Sequence, residues 1–390
     1  MTAQPRLRTR RKVPRVVLLI ESSRSSGRSL LRGIANYARH RGPWAFYWEP
    51  GGLEKAWPQL KTLGADGIIL RDVEKLDDLI AYGLPAVVVG HSKQEIPGLA
   101  NVITDSEAIG VMGAEHLLTC GFRNFAYCGY EEMPWSGLRG ESFCRRLAKA
   151  GYQAHFCPTG ADRELPGWKG ERFLPNWLKS LPKPLGIMAC NDDRGEQVIE
   201  ACKIAGLQVP DEVAIIGADN DELVCDLSDP PMSSIAINFE RAGYESAEVL
   251  DRLMRGRRVV PKKIVVPATH VVPRRSTDIV AVDDGQVANA LRFIRDHARE
   301  VISVPDVARA AGLSRRVLEK RFQQLLRRSV LREIRRVRVA QICRLLAETN
   351  ESISEIGLTL GYSGTEHLAR YFRQEKHMTP LAYRRQFGRK

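Results

Sequence analysis

Hydrogen-bonding side chains stand just beyond the short apolar runs of the first 240 residues. Ser22 and Ser23 follow "VVLLIE" (16–21), and Arg71 and Asp72 follow "ADGIIL" (65–70). Trp135 and Arg139 lie beyond "FAYCGY" (125–130), Asn191 and Asp192 follow "GIMAC" (186–190), and Asp219 closes "VAIIGAD" (213–219). Carboxylates accept from vicinal hydroxyls, an Arg donates to them, and an indole covers apolar C–H faces, so the set suits a neutral polyol such as a small sugar. Any one of them alone reads better as a helix cap or a surface residue.

A second chemistry sits near the end of the chain, where "GLSRRVLEKRF" (312–322) is echoed forty-nine residues later by "GYSGTEHLARYF" (361–372). In the first copy Leu318, Phe322, Leu325 and Leu326 recur at helical spacing, which leaves Arg315, Arg316, Glu319 and Lys320 facing outward. In the second copy Leu368 and Phe372 repeat the stripe, with Thr365, Glu366 and Arg370 outward. A small residue (Ala308) where two helices cross, then a Gly that tolerates positive φ in the turn (Gly312), is helix-turn-helix chemistry. The outward side chains are of the types that read base edges in a major groove. A bundle with a solvated face is the bland alternative for one copy. Two copies joined by the basic stretch "LREIRRVRVAQICRLLAETN" (331–350) favour DNA.

These groups need elements to hold them. From residue 16 to about 240, β-branched runs alternate with amphipathic stretches such as "LLRGIANYARH" and "GEQVIEACKIAG". That rhythm forces parallel pairing with helices on both faces, a doubly wound α/β architecture. The series divides near 16–130 and 131–240, giving an expected two-lobed body with a cleft, and ligands of open α/β sheets bind at strand carboxyl ends. Beyond 285 the pattern is helical to the end.

Charge agrees with this division. Residues 285–390 hold 22 Lys/Arg against 10 Asp/Glu, a net of +12, and residues 1–15 hold 6 basic and no acidic residues. The 16–284 stretch is left with 31 basic against 36 acidic, a net of −5, so the overall +13 sits at the two ends, as suits a polyphosphate partner. Eight cysteines without metal-ligand spacing read as reduced thiols of a cytoplasmic protein. The apolar run after the basic start is too short for a signal peptide, and no stretch suits a membrane helix. No nucleophile elbow, metalloprotease helix or phosphate loop is present, so neither an enzyme nor a cofactor is expected.

The terminal segment resembles the AraC/XylS family in "VARAAGLS" (307–314), "RVRVAQICRLL" (336–346), "ISEIGLTLGYS" (353–363) and "YFRQEKHMTPLAYRRQF" (371–387). That resemblance implies base-reading roles for Arg316, Glu319, Lys320, Thr365, Glu366 and Arg370. The body resembles the periplasmic-binding-protein-like sensor of LacI-type regulators in "GRSLLRGIANYAR" (27–39), "RGESFCRRLAKAGY" (139–152) and "ACNDDRGEQVIEACKIAGLQVPDEVAIIGADNDEL" (189–223). It implies sugar-contacting roles for Arg139, Asn191, Asp192 and Asp219, and a monosaccharide effector such as D-xylose. The expected organisation is a sensor over 14–275, a linker over 276–284, and a double helix-turn-helix domain over 285–390 that binds a DNA operator. The family suggests a homodimer. A front body that only dimerises, or a sugar binder without regulation, are the alternatives.

Overall fold

The structure is a computed structural model that describes residues 13–50, 63–71, 83–90, 95–158, 173–257, 263–278 and 284–388. Asp72, the basic stretch 1–12 and linker residues 279–283 lie outside the described residues. The first segment runs β1 (Arg15–Leu19), α1 (Ser25–Arg41), β2 (Ala45–Trp48), β3 (Gly67–Arg71), β4 (Ala86–Val89) and β5 (Ala100–Thr104). There follow α2 (Ser106–Thr119), β6 (Asn124–Cys128), α3 (Pro134–Ala148), β7 (Ala154–Phe156), α4 (Phe173–Ser180) and β8 (Leu185–Ala189). Next come α5 (Asp192–Ala205), β9 (Val213–Asp219), α6 (Glu222–Leu227), β10 (Ser233–Ile237), α7 (Phe239–Met254), β11 (Lys263–Val266) and β12 (Ala268–Val272). A 3-10 turn at Arg275–Thr277 precedes α8 (Gly285–Asp296), α9 (Val304–Ala310), α10 (Arg315–Leu326) and α11 (Val330–Glu348). The chain ends with α12 (Ile353–Thr359), α13 (Thr365–Lys376) and α14 (Pro380–Phe387).

The chain forms two units, Met1–Ile103 with Phe239–Ile264, and Thr104–Asn238 with Val265–Lys390. The first holds a six-stranded sheet ordered β11-β5-β4-β3-β1-β2, and the second a six-stranded sheet ordered β12-β10-β9-β8-β6-β7. The central pairs are parallel, and β12 runs antiparallel against β10. Strands covered on both faces read as unbroken apolar runs, and β1, β3, β4, β8 and β9 are buried along almost their whole length.

The expected division near residue 130 is wrong. β6 belongs to the second sheet, and α7 returns the chain to the first unit. Strand–helix alternation specifies local pairing but not which sheet a strand joins, and the return after 239 leaves no local mark. Half of the twelve strands among the described residues also escaped the sequence reading. β2 and β7 are short edge strands with exposed residues, β10 begins with Ser233 and Ser234, and β11 alternates exposed and buried.

In the helical region the repeat extends to its capping groups. Ser303 and Ser352 each close a capping box, with Asp306 and Glu355 respectively. Gly312 and Gly361 hold the turns at φ +65° and +72°, and Arg327 and His377 end α10 and α13 in the left-handed region. Leu318 and Phe322 in one copy, Leu368 and Phe372 in the other, are fully buried. Leu325 and Leu326 are only partly buried against the first core.

The second unit binds these helices to its own sheet. The Tyr383 hydroxyl donates to Thr269 O at 2.9 Å, and His270 Nε2 meets Glu348 Oε1 at 2.9 Å. Asn238 Nδ2 donates to Phe387 O at 2.7 Å and Gly388 O at 3.1 Å, and Arg328 Nη2 donates to Thr119 O at 3.1 Å.

Candidate functional site

In the second unit, α3 begins with Pro134 at its first turn, and i,i+4 spacing stacks Trp135 and Arg139 on one face. The Arg139 guanidinium lies 4.7 Å from the Trp135 ring centroid. Arg139 is 2% exposed. Its Nη1 donates to Cys190 O, while Nη2 lies 3.4 Å from both Thr104 Oγ1 and Asp219 Oδ1. Its buried Nε has no hydrogen-bond partner. Asp219 keeps a partly open side chain, so a buried cation and a partly exposed carboxylate form a donor–acceptor pair beside an aromatic face.

The backbone at Asp219 is unusual. It has φ +102° and Asn220 φ +49°, a conformation that non-glycine residues adopt at a cost and that surrounding contacts must hold. Asn191 and Asp192 occupy a different situation. Asn191 Oδ1 accepts from Arg194 N at 3.0 Å and so caps α5, and the half-buried residue adjoins the Cys190 carbonyl that Arg139 engages. Asp192 is 2% exposed and turned inward, where it accepts from Ser234 Oγ at 2.5 Å and Asp221 N at 2.7 Å. Burial and the neighbouring Asp219 carboxylate push Asp192 well above the usual carboxylate range.

Trp135, Arg139 and Asp219 thus come together, with Asn191 at their edge and Asp192 behind. Sequence reasoning missed Thr104, whose strand β5 it did not see. It also missed Tyr130, whose ring lies 5.2 Å from the buried Arg194 guanidinium and edge-on to Trp135. An aromatic directly after "FAYCG" was the available signal.

In the first unit, Ser22 is half-buried and Ser23 exposed in the turn between β1 and α1. Ser23 Oγ donates to Glu21 Oε2 at 2.5 Å, and the Ser22 and Ser23 carbonyls accept from Arg28 Nη1. Arg71 lies 3.8 Å from Glu21 and 3.4 Å from Ser26 Oγ.

The helical region presents a separate surface. Ser314 caps α10 through Val317 N, which sets Arg315, Arg316 and Lys320 exposed along the first turns. Glu319 is half-buried, and its Oε2 accepts from Val330 N at 3.2 Å, so it also caps α11. On α13, Thr365, Glu366 and Arg370 are exposed. Glu366 and Arg370 line a shallow depression with Ala369, Arg373 and Gln374. The first copy's Ser cap is replaced in the second by Gly364, with no side-chain cap bond. Among the described residues there is no cluster of His, Cys, Asp or Glu able to hold a metal, and no helix long and apolar enough to cross a membrane. All eight cysteines are free.

Residues 114–277 match the periplasmic binding protein-like domain family, and residues 307–386 match a helix-turn-helix domain family. The chain is 30% identical over 380 residues to the xylose operon regulatory protein of Haemophilus influenzae, covering 95% of this chain and 98% of that protein. It is 29% identical over 380 residues to the xylose operon regulatory protein of Escherichia coli K12, covering 95% and 96%. A solved structure of the xylose-binding transcription activator xylR superposes with a TM-score of 0.61 at 28% identity, over 97% of this chain and 99% of that one. The α/β sensor body, the doubled helix-turn-helix unit and likeness along almost the whole length agree: the chain belongs to the family of the xylose operon regulatory proteins, DNA-binding transcriptional regulators of the AraC type with a periplasmic-binding-protein-like sensor, and is not an enzyme.

Proposed function

We propose that this regulator responds to a small neutral monosaccharide, D-xylose or a close relative, held at the carboxyl ends of the second sheet's strands. The observation that carries the reading is the pair of buried Arg139 and half-open Asp219 beside the Trp135 ring. A guanidinium donating and a carboxylate accepting suit adjacent sugar hydroxyls, and the ring suits the sugar's C–H face. The names of the relatives point to the same class of effector. Within the second unit, Asn191 completes the proposed contacts.

DNA is read by Arg315, Arg316, Lys320, Thr365, Glu366 and Arg370, with Glu319 shared between base reading and capping. Helix α11 joins the two helix-turn-helix units and has 19 residues. At 1.5 Å per residue it spans about 28 Å, close to the ~34 Å of one DNA turn, so the units suit successive major grooves of an operator. A homodimer would double that contact.

Calorimetric titration of the full-length protein with a panel of pentoses and hexoses tests the sensing part. Micromolar binding of one pentose, lost in Asp219→Ala, is expected. A charged acceptor bond contributes about 1.5–3 kcal/mol, so losing two of them weakens affinity a hundredfold or more. Heat-silent titrations across the panel would leave the front body as a dimerisation module.

A further inference from the structure

Asp192 stands where a ligand carboxylate would be sought, directly after a strand end, yet its oxygens are turned away from solvent. One is engaged by the segment that carries Asp219, the other by Ser234 of the neighbouring strand β10. Oδ2 accepts from the Asp221 amide at 2.7 Å, and Oδ1 accepts from the Ser234 hydroxyl at 2.5 Å. Ser234 Oγ in turn accepts from the Asn220 amide at 3.0 Å. The two amides that follow Asp219 are therefore tied to one carboxylate, the first through a hydroxyl and the second directly.

Local packing is built around that arrangement. Asp192 and Ser234 are 2% and 0% exposed. A Cβ on Gly217, two residues before Asp219 in β9, would lie 2.3 Å from Asp192 Oδ1, so the inward carboxylate depends on glycine there. Parallel pairing sets Gly217 against Ser234 and Asp219 against Ala236, which brings the hydroxyl under the turn. Asp219 and Asn220 hold φ values of +102° and +49°, and a strained turn persists only where its surroundings over-determine it.

We infer that Asp192 and Ser234 are positioning residues for the effector site, a buried mount that locks the 219–220 turn and aims the Asp219 carboxylate beside Arg139. The inference rests on the proposed sugar site and adds that recognition there depends on two residues that do not touch the sugar. Asp192 then acts one layer behind the contact that sequence reasoning assigned to it.

The test combines two measurements on full-length protein, unmutated and with Ser234→Ala or Asp192→Asn. Amide hydrogen exchange reads the mount directly. The Asn220 and Asp221 amides should be protected in the unmutated protein and should exchange at least about tenfold faster in the folded variants, with the rest of β9 unchanged. Calorimetry reads the consequence. Ser234→Ala should weaken the sugar about tenfold, since it removes both the bond that holds the Asn220 amide and the hydroxyl's bond to Asp192. The same change in an Asp219→Asn background should have almost no effect. A merely structural role would lower the melting temperature and weaken sugar equally in both backgrounds, which overturns the proposal, as does unaltered exchange at 220 and 221. If the unmutated protein binds sugar and Ser234→Ala binds it equally, the mount fails while the sensing reading stands. If the unmutated protein binds no sugar of the panel, both fall.

Discussion

At the scale of single residues, the two surfaces of this regulator use arginine in opposite ways. Arg139 is buried, stacked on an indole and held by a carbonyl, so its direction is fixed before any ligand arrives. Arg316 and Arg370 are exposed and free to adapt to a base edge or a phosphate. Arg370→Ala should cost about 1–3 kcal/mol of discrimination between operator and random DNA if the side chain reads a base. Binding titrations on both DNAs at several salt concentrations check this, since equal weakening on both with a shallower salt slope identifies a phosphate contact. Glu319→Ala differs from both. By removing an acceptor from the first amide of α11 it should lower the melting temperature as well, a cap of this kind contributing about 1 kcal/mol.

At the scale of elements, close helix contacts decide where functional side chains lie. A Cβ at Gly110 on α2 would be 2.3 Å from Arg139 O on α3, a distance no real contact reaches. Gly110→Ala must therefore push α3 outward and carry Trp135 and Arg139 with it. Overpacking of this type costs about 1–3 kcal/mol of stability. Sugar affinity should fall along with it, and calorimetry beside thermal denaturation of the variant measures both. Unchanged affinity in a destabilised protein would mean that α3 does not position the effector site. The helix-turn-helix copies were legible at this scale because their signals are local: apolar stripes and turn glycines. β2, β7 and β10 were not, since short edge strands and a serine-led strand carry no sustained alternation.

At the scale of the second unit and its helices, the DNA-binding region is tied to the sensor sheet by specific polar contacts rather than by the linker alone. Thr119 O, at the end of α2, accepts from Arg328, and Arg328 also pairs at 2.7 Å with the fully buried Glu333. The other end of α2 adjoins Thr104, next to Arg139. One helix thus runs from the candidate effector site to the DNA-binding region. Near the other end of α11, His270 and Arg344 engage Glu348. Burial raises the Glu348 carboxyl, but these hydrogen bonds outweigh it and hold the group at about 2. Its folded value lies below the unfolded one, so the contact's contribution is fully present above the ordinary Glu range near 4.5 and fades as the pH falls from there through about 2. Glu348→Gln should leave sugar affinity and operator binding by the unliganded protein within a factor of about three, yet shrink the sugar-induced change in operator affinity. An effector acts only through its differential preference for two states, and the His270–Glu348 contact is one of the polar links between the sensor sheet and the DNA-binding helices through which such a preference would be passed on. Operator titrations with and without sugar decide it, a full response in the variant showing that coupling runs elsewhere.

Amphipathic spacing in the last hundred residues determined the doubled DNA-binding unit by itself, because a helix's buried face is written in its own 3.6-residue period. Strand runs bounded by polar residues likewise marked Arg139 and Asp219 as candidates, since parallel strands place their carboxyl ends on one side. Tertiary structure alone decided that β6 joins the second sheet and that α7 returns to the first unit, for sheet membership depends on contacts between residues far apart in sequence. It also separated Asp192 from Asp219. Both follow strands and both are carboxylates, but the pairing of β9 with β10 brings Ser234 beneath the turn and draws Asp192 inward, while Asp219 stays partly open beside Arg139. Which way a side chain points at a strand end is fixed by its neighbours on adjacent strands, and those neighbours are not local in the chain.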